Sequence, residues 1–395
     1  MNRNVRVVLG VSALFGAATG TYEFLLPYYL RERGLSFESM GLIFAIASAG
    51  MLAGRVLMGE MADRWGRKLF YGLSLAGNAL AMGLTPATGS TAGQSVLKTL
   101  REAMLLTRET LHPIVLYEES RGRFMAYMGK TRGYEYLFQG AGTLASGALM
   151  ARLGTVGNLE LAAAVTAIGF LWFWTIFREH PRDLRARPQG GGLRQLLSFE
   201  MHRNLKLITI SVFIFNVGLM TSHCFIMPLF FSEKFGVTAY TVSWVMVVHR
   251  ITIAFPLLVA GRLPIRDLKG VYVWTLALEG AILSASALIP SFLAASAVWL
   301  LHDLVGAGIW IPVQNQLIQD YTEPEQRGLQ VGKVLAFGGL GTIPGPLLAG
   351  YLSGRQISAP FFVSGVLMVI AVLPLAWLRL DAPPCAGSGH VLESR

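Results

Sequence analysis

The chain has 395 residues, 53% of them hydrophobic and only 14% charged, with 44 glycines and a mean hydropathy of +0.51. A soluble domain carries about 25% charged residues, so this composition excludes an ordinary soluble enzyme. The net charge of +10 falls in turns between apolar runs rather than along one stripe, which fits contact with an anionic membrane surface and excludes nucleic acid as a partner.

Hydropathy predicts about twelve spans, near 5–30, 40–58, 69–86, 93–116, 125–150, 159–177, 205–231, 239–260, 270–289, 292–318, 329–353 and 359–379. Each is sized by a hydrocarbon core about 30 Å thick and by the need to bond every backbone group inside lipid. The first span follows Arg3 and Arg6 and stays apolar to Leu30, longer than a signal peptide, so it reads as a retained helix. The second and third flank Gly59-Glu-Met-Ala-Asp63-Arg64-Trp-Gly66-Arg67-Lys68, which reads as the basic turn of a membrane hairpin. Residues 178–204 are rich in arginine, proline and glycine and read as a flexible cytoplasmic linker. Residues 381–395 lack the means to build a core and read as a disordered cytoplasmic tail. The expected units are therefore an N-terminal six-helix bundle over 1–177 and a C-terminal one over 205–380.

One set of connections holds about twenty lysines and arginines, the opposite set only Arg31, Arg33, Arg152, Lys234 and Arg355. The positive-inside rule then puts both termini in the cytoplasm of a multi-pass protein of the plasma (cell inner) membrane. The halves also repeat. Gly59–Lys68 is echoed by Gly261–Gly270, with Ile265 in the place of Asp63; Pro113 is echoed by Pro312, and Arg121-Gly122 by Arg327-Gly328. Ordered correspondence of this kind is expected of bundles arranged about a midplane site.

The pattern Gly59-x-x-x-Asp63-Arg64-x-Gly66-Arg67-Lys68 resembles the loop between the second and third helices of the major facilitator superfamily. Arg101, twelve residues before Pro113, stands where that family has its fourth-helix arginine, although the glycine four residues on is Leu105 here. Gly341-Thr-Ile-Pro-Gly345-Pro346-Leu-Leu-Ala-Gly350 resembles a family pattern in the eleventh helix, whereas the fifth-helix counterpart typical of antiporters is missing, since Gly140–Gly147 contains no proline. The resemblance covers nearly the whole chain. It implies an all-α membrane protein of about twelve transmembrane helices in two pseudo-symmetric six-helix bundles. It further implies a cavity lined by the first, fourth, seventh and tenth helices, and a cytoplasmic gate motif (Gly59, Asp63, Arg64, Gly66, Arg67, Lys68). In that gate Asp63 would meet the start of the eleventh helix near Val331 and Lys333.

An ionisable side chain inside a span is a functional hypothesis by default. At 1.5 Å per residue, Glu23, Arg101, Glu102, His223, His302 and Asp303 lie about 10–15 Å deep in the first, fourth, seventh and tenth spans. Glu23 and Arg101 read either as a buried ion pair or as a proton carrier with its modulator. Arg108 and Glu109 read as gate or structural charges, and Glu135, His249, Arg250 and Glu279 as further intramembrane candidates. Spacings of three, four and seven put Met220, His223 or Cys224, and Met227 along one helical side, which leaves a transition-metal ion as an alternative cargo, methionine also being ordinary filling. With no phosphate-binding loop and no nucleophile elbow, neither an enzyme nor a cofactor nor a resident metal is expected. The expectation is a monomeric secondary transporter of a small polar or charged solute, coupled to protons or another ion. The competing class is a transporter-shaped sensor or scaffold.

Overall fold

Inside a bilayer every backbone N–H and C=O needs an internal partner, and among the described residues the chain meets that need with helices alone. The computed structural model describes residues 2–120, 123–179, 198–260, 265–322 and 327–379; the side chains of 53–65, 125–126, 254–260, 307–308 and 327–328 lie outside that description. The expected linker therefore falls largely outside it, as do the tail and the side chains of Gly59, Asp63 and Arg64.

The first half comprises α1 (Arg3–Glu32), α2 (Phe37–Trp65), α3 (Arg67–Leu84), α4 (Thr91–Glu119) and α5 (Phe124–Ile176). Five helices supply six spans because α5 is 53 residues long and turns at Gly154, where φ is 63°. The second half comprises α6 (Arg203–His223), α7 (Ile226–Phe235), α8 (Ala239–Ala260), α9 (Leu268–Leu288), α10 (Phe292–Val305), α11 (Ala307–Asp320), α12 (Arg327–Gly339), α13 (Pro344–Ser353), α14 (Ala359–Ile370) and α15 (Leu373–Ala376). Seven described helices are apolar and long enough to cross a membrane, some of them running through a break; α4 fails that test because of its charges.

Two expectations change here. The residues 59–68 do not form a loop: α2 runs to Trp65 and α3 starts at Arg67, so Gly66 alone makes the turn. Its φ of 103° lies where only glycine is unstrained. The carboxylate of Glu179 accepts from the backbone N–H of Arg67 at 2.8 Å, a favourable placement at the positive end of α3. The seventh span is not one helix either. Pro228 lacks an N–H and its ring excludes the carbonyl of Cys224, four residues earlier, so α6 stops at His223 and α7 begins at Ile226. Met220 and Met227 thus sit on different helices, and the continuous sulfur face expected from spacing does not form. The same four-residue rule places Pro344 after the break at Leu340 and Pro374 after the end of α14 at Ile370.

Small residues seam the first half. Gly20 on α1 and Gly142 on α5 leave no room for a Cβ against the facing backbones. Across the same seam Thr143 donates to the Gly20 carbonyl at 3.1 Å, and Thr21 to the Gly142 carbonyl at 3.1 Å. This is the close packing expected where lipid gives helices no hydrophobic reason to associate. Between the halves, Phe44 of α2 meets Phe225 with ring centroids 5.3 Å apart. Other contacts lie at the face opposite the start of α1: Tyr28 donates to the Pro228 carbonyl at 3.2 Å, Arg31 pairs with Glu233 at 3.2 Å, and α2 packs on α13.

Candidate transport cavity and its charged layers

A cavity of about 320 Å³ lies between the halves, lined by Glu23, Leu105, Tyr136 and Gln139 from the first half and His223, Cys224, His249 and Arg250 from the second. A second cavity of about 290 Å³ adjoins Glu23, Lys98, Glu102, Met220, His223 and Cys224. Glu23, His223 and Cys224 border both, so they form the partition between the two spaces.

On α4, Lys98, Arg101 and Glu102 are three and four residues apart and share one face. Arg101 is fully buried and pairs with Glu102 at 2.8 Å and closely with Glu23 of α1. Lys98 reaches Glu102 at 2.7 Å and Glu23 at 3.3 Å, and sits 4.7 Å from the centroid of Phe44. The guanidinium of Arg101 lies 4.9 Å from the Tyr22 ring. Two cations thus face two carboxylates, and Glu23, with 31% of its side chain exposed, is the member most open to the cavity. Lys98 was missed from sequence, although its position three residues before Arg101 pointed to it.

A second network lies nearer the start of α1. Arg108 donates to Glu135 at 2.9 and 3.3 Å and to Ser12 at 3.1 Å, and its guanidinium lies 4.1 Å from the Phe15 ring. Arg132, also missed from sequence, donates to Glu109 at 2.8 Å and pairs with Glu135 at 3.5 Å. Glu135 is buried against Arg108 and does not line either cavity, while its neighbour Tyr136 does.

In the second half four groups converge from three helices. His249 of α8 contacts Asp303 of α10 through Nδ1 and Oδ2. His302 Nε2 lies 3.3 Å from Asp303 Oδ1 and 3.0 Å from His223 Nε2 at the end of α6. Trp299, fully buried, packs on all three rings, with centroids 4.7 Å from His249, 4.9 Å from His302 and 6.2 Å from His223. His302 and Asp303 sit behind His223 and His249 rather than on the cavity wall. Glu279 of α9 is buried with Oε2 unpartnered, beside the break at Gly306. At the hinge, Arg67 pairs with Glu118 and Lys68 lies 5.4 Å from the Trp174 ring centroid. Lys333 donates to Ser198 at 3.0 Å and to the Glu200 carbonyl at 2.9 Å, both from the segment leading into α6.

Helical bundles with a charged cavity between them are the architecture of a membrane transporter. The chain belongs to the Major Facilitator Superfamily, whose sequence profile matches residues 8–309 and 209–390. It is 22% identical over 366 residues to Multidrug resistance protein 2 of Bacillus subtilis (strain 168), covering 89% of this chain and 90% of that one. It is 26% identical over 407 residues to the putative niacin/nicotinamide transporter NiaP of the same strain, covering 94% and 93%. The crystal structure of the nucleoside transporter NupG superposes with a TM-score of 0.73 at 14% identity, covering 95% of this chain and 98% of that one. A bacterial homolog of the human lysosomal transporter Spinster, inward-facing and occupied, gives 0.72 at 13% identity, with 94% of each chain covered.

Proposed function

We propose that the protein moves a small polar or charged organic solute across the plasma (cell inner) membrane, driven by protons, by rocking the bundles 1–177 and 205–380 as a monomer with both termini cytoplasmic. The observation that carries this reading is the Glu23–Lys98–Arg101–Glu102 quartet at the cavity wall. Its formal charge is zero with both carboxylates ionised. A proton on Glu23 makes the layer +1 and loosens its hold on Arg101 and Lys98, which frees these cations for an acceptor group of the solute and so couples proton uptake to solute binding. A cavity of about 320 Å³ is at the lower end of the range for small-molecule sites. Solutes of the size carried by the named relatives, such as nicotinamide and nucleosides, are therefore the first to test. Contacts between the halves at the face opposite the start of α1 support a state closed to the outside.

The test is purified protein in liposomes with a pH-sensitive dye inside. A thermal-shift screen identifies the solute first, since a ligand of the native state raises its stability. Adding that solute should then move protons in the wild type. Glu23→Gln should retain solute exchange and lose gradient-driven accumulation. Unchanged accumulation in Glu23→Gln removes Glu23 as the carrier.

A further inference from the structure

Arg250 stands apart from the other cations inside the spans. Lys98 and Arg101 face Glu23 and Glu102, Arg108 faces Glu135, and Arg132 faces Glu109. Arg250 lines the cavity of about 320 Å³, and its side chain makes no ion pair and no hydrogen bond among the described residues. The carboxylates of its own half do not serve it. Asp303 contacts His249 through Oδ2 and lies 3.3 Å from His302 through Oδ1, and Glu279 Oε2 is buried without a partner against Gly306.

Arg250 lies in the middle of α8 (Ala239–Ala260), about 16 Å along the axis from its start. In a hydrocarbon core about 30 Å thick that is too deep for the side chain to snorkel to either headgroup layer. An intramembrane cation is expensive and is normally met by an anion or by carbonyl groups. Here the space in front of it is the cavity itself. Tyr136 and Gln139 of the first half line the same cavity, and neither side chain bonds to another described residue. Phe24, Met227 and Met246 give it apolar walls.

We propose that the cavity selects a small organic monoanion, a carboxylate on an apolar or aromatic body, and that Arg250 binds the carboxylate. The planar guanidinium offers two parallel N–H donors to a carboxylate, which supplies the missing counter-charge. The body of the solute then rests against Phe24, Met227 and Met246, with Tyr136 and Gln139 available to its polar atoms. Glu23 stays with Lys98 and Arg101 and is not needed for this contact. The assignment rests on the reading of this cavity as the solute site and does not depend on proton coupling.

Matched acids and amides test charge at constant shape: benzoate against benzamide, and nicotinate against nicotinamide. Each is added at neutral pH to purified full-length protein in detergent, and binding is read from the melting temperature and by titration calorimetry. The acids should raise the melting temperature, and the amides should bind at least about tenfold more weakly. Arg250→Gln should lower acid affinity at least about thirtyfold and bring acid and amide to the same level. Arg250→Lys keeps the charge but loses the fork and should fall between the two. Without ligand, Arg250→Gln should melt no lower than the wild type, because it removes a cation that has no counterion. A lower melting temperature would give Arg250 a structural role and overturn the assignment. So would equal affinity for acid and amide, unchanged acid affinity in Arg250→Gln, or no binding of either acid. Counterflow in liposomes is measured separately. Acid binding that needs Arg250, without counterflow in the wild type, upholds the anion site and removes the transport reading; counterflow of a neutral solute with no acid bound does the reverse.

Discussion

The buried Arg108–Glu135 pair offers the sharpest separation of structural from transport charges. Arg108 is fully buried, 5% of the Glu135 side chain is exposed, and the two share contacts at 2.9 and 3.3 Å. Removing one partner of a buried pair costs about 3–5 kcal/mol, because the other charge stays buried without its counterion. In Glu135→Leu the orphan is Arg108, but Glu109 remains 3.7 Å away and can take part of the charge. The expected loss is therefore near the lower bound, about 3 kcal/mol. The double variant Arg108→Met/Glu135→Leu removes both charges and fills the space with apolar atoms, and should lie within about 1 kcal/mol of wild type. Arg132 would lose its contact with Glu135 in both variants, but it is 29% exposed and keeps Glu109, so this adds little. Unfolding of the purified protein in mixed micelles reads the stability of all three proteins. Transport per folded molecule should be unchanged in the double variant, since neither residue lines a cavity. Transport lost in a double variant of wild-type stability would refute the structural reading and make this network part of the mechanism.

Arg101→Ala should lower both folded yield and transport by leaving Glu23 and Glu102 short of a cation; recovery of both yield and solute exchange in Arg101→Ala/Glu23→Gln favours a structural ion pair, whereas recovery of yield without solute exchange, which Glu23→Gln alone retains, gives Arg101 a transport role. Gly142→Val should reduce the folded fraction measured by size-exclusion chromatography, because the Ala17 backbone occupies the space a side chain would need. Glu179→Gln removes a carboxylate from the start of α3 and should cost about 0.3–1 kcal/mol in unfolding measurements. Asp63→Asn should shift distances between spin labels on the termini-side loops toward the open state; an unchanged distribution with normal transport would reduce the motif to a topology signal.

Much of this architecture was readable in the sequence because lipid enforces it. Apolar run lengths gave the spans, and the depth rule brought Glu23, Arg101 and Glu102 to one layer. The helix breaks were hidden by the same hydropathy, since a broken span is as apolar as a straight one. Pro228, Pro344 and Pro374 each marked a break four residues upstream, a local rule that run length overrides. Lys98 was discoverable from its spacing to Arg101 and Glu102. The convergence of His249 on Asp303, 54 residues away, and the hydrogen bond between Ser222 and Ser364, 142 residues apart, carry no local signal. They arise only when α6, α8, α10 and α14 pack.

The partition of these charges bears on how the halves can move. Every ion pair of the quartet joins α1 to α4 or stays on α4, and the Arg108 network joins α4 to α5. The histidines and Asp303 all belong to the second half. A rigid rotation of one bundle against the other therefore breaks none of the buried charge contacts described for the midplane, which would each cost several kcal/mol. What must break is at the face opposite the start of α1: Tyr28 to the Pro228 carbonyl, the α2–α13 packing, the packing of α5 on α8 where Gly147 meets Ser243, and Arg31 with Glu233. The Arg31–Glu233 pair is about one-third exposed on each side and is worth roughly 0–1 kcal/mol. Glu233→Gln should then move the balance between the two states by at most about fivefold. Each bundle keeps its buried charge pairs inside itself, and the ion pair described between the halves is an inexpensive one. Binding of solute or proton at the midplane can bias the two states only through differences in how each half meets the cavity. Glu23 and His223, which border both spaces from opposite halves, are the residues best placed to sense that difference.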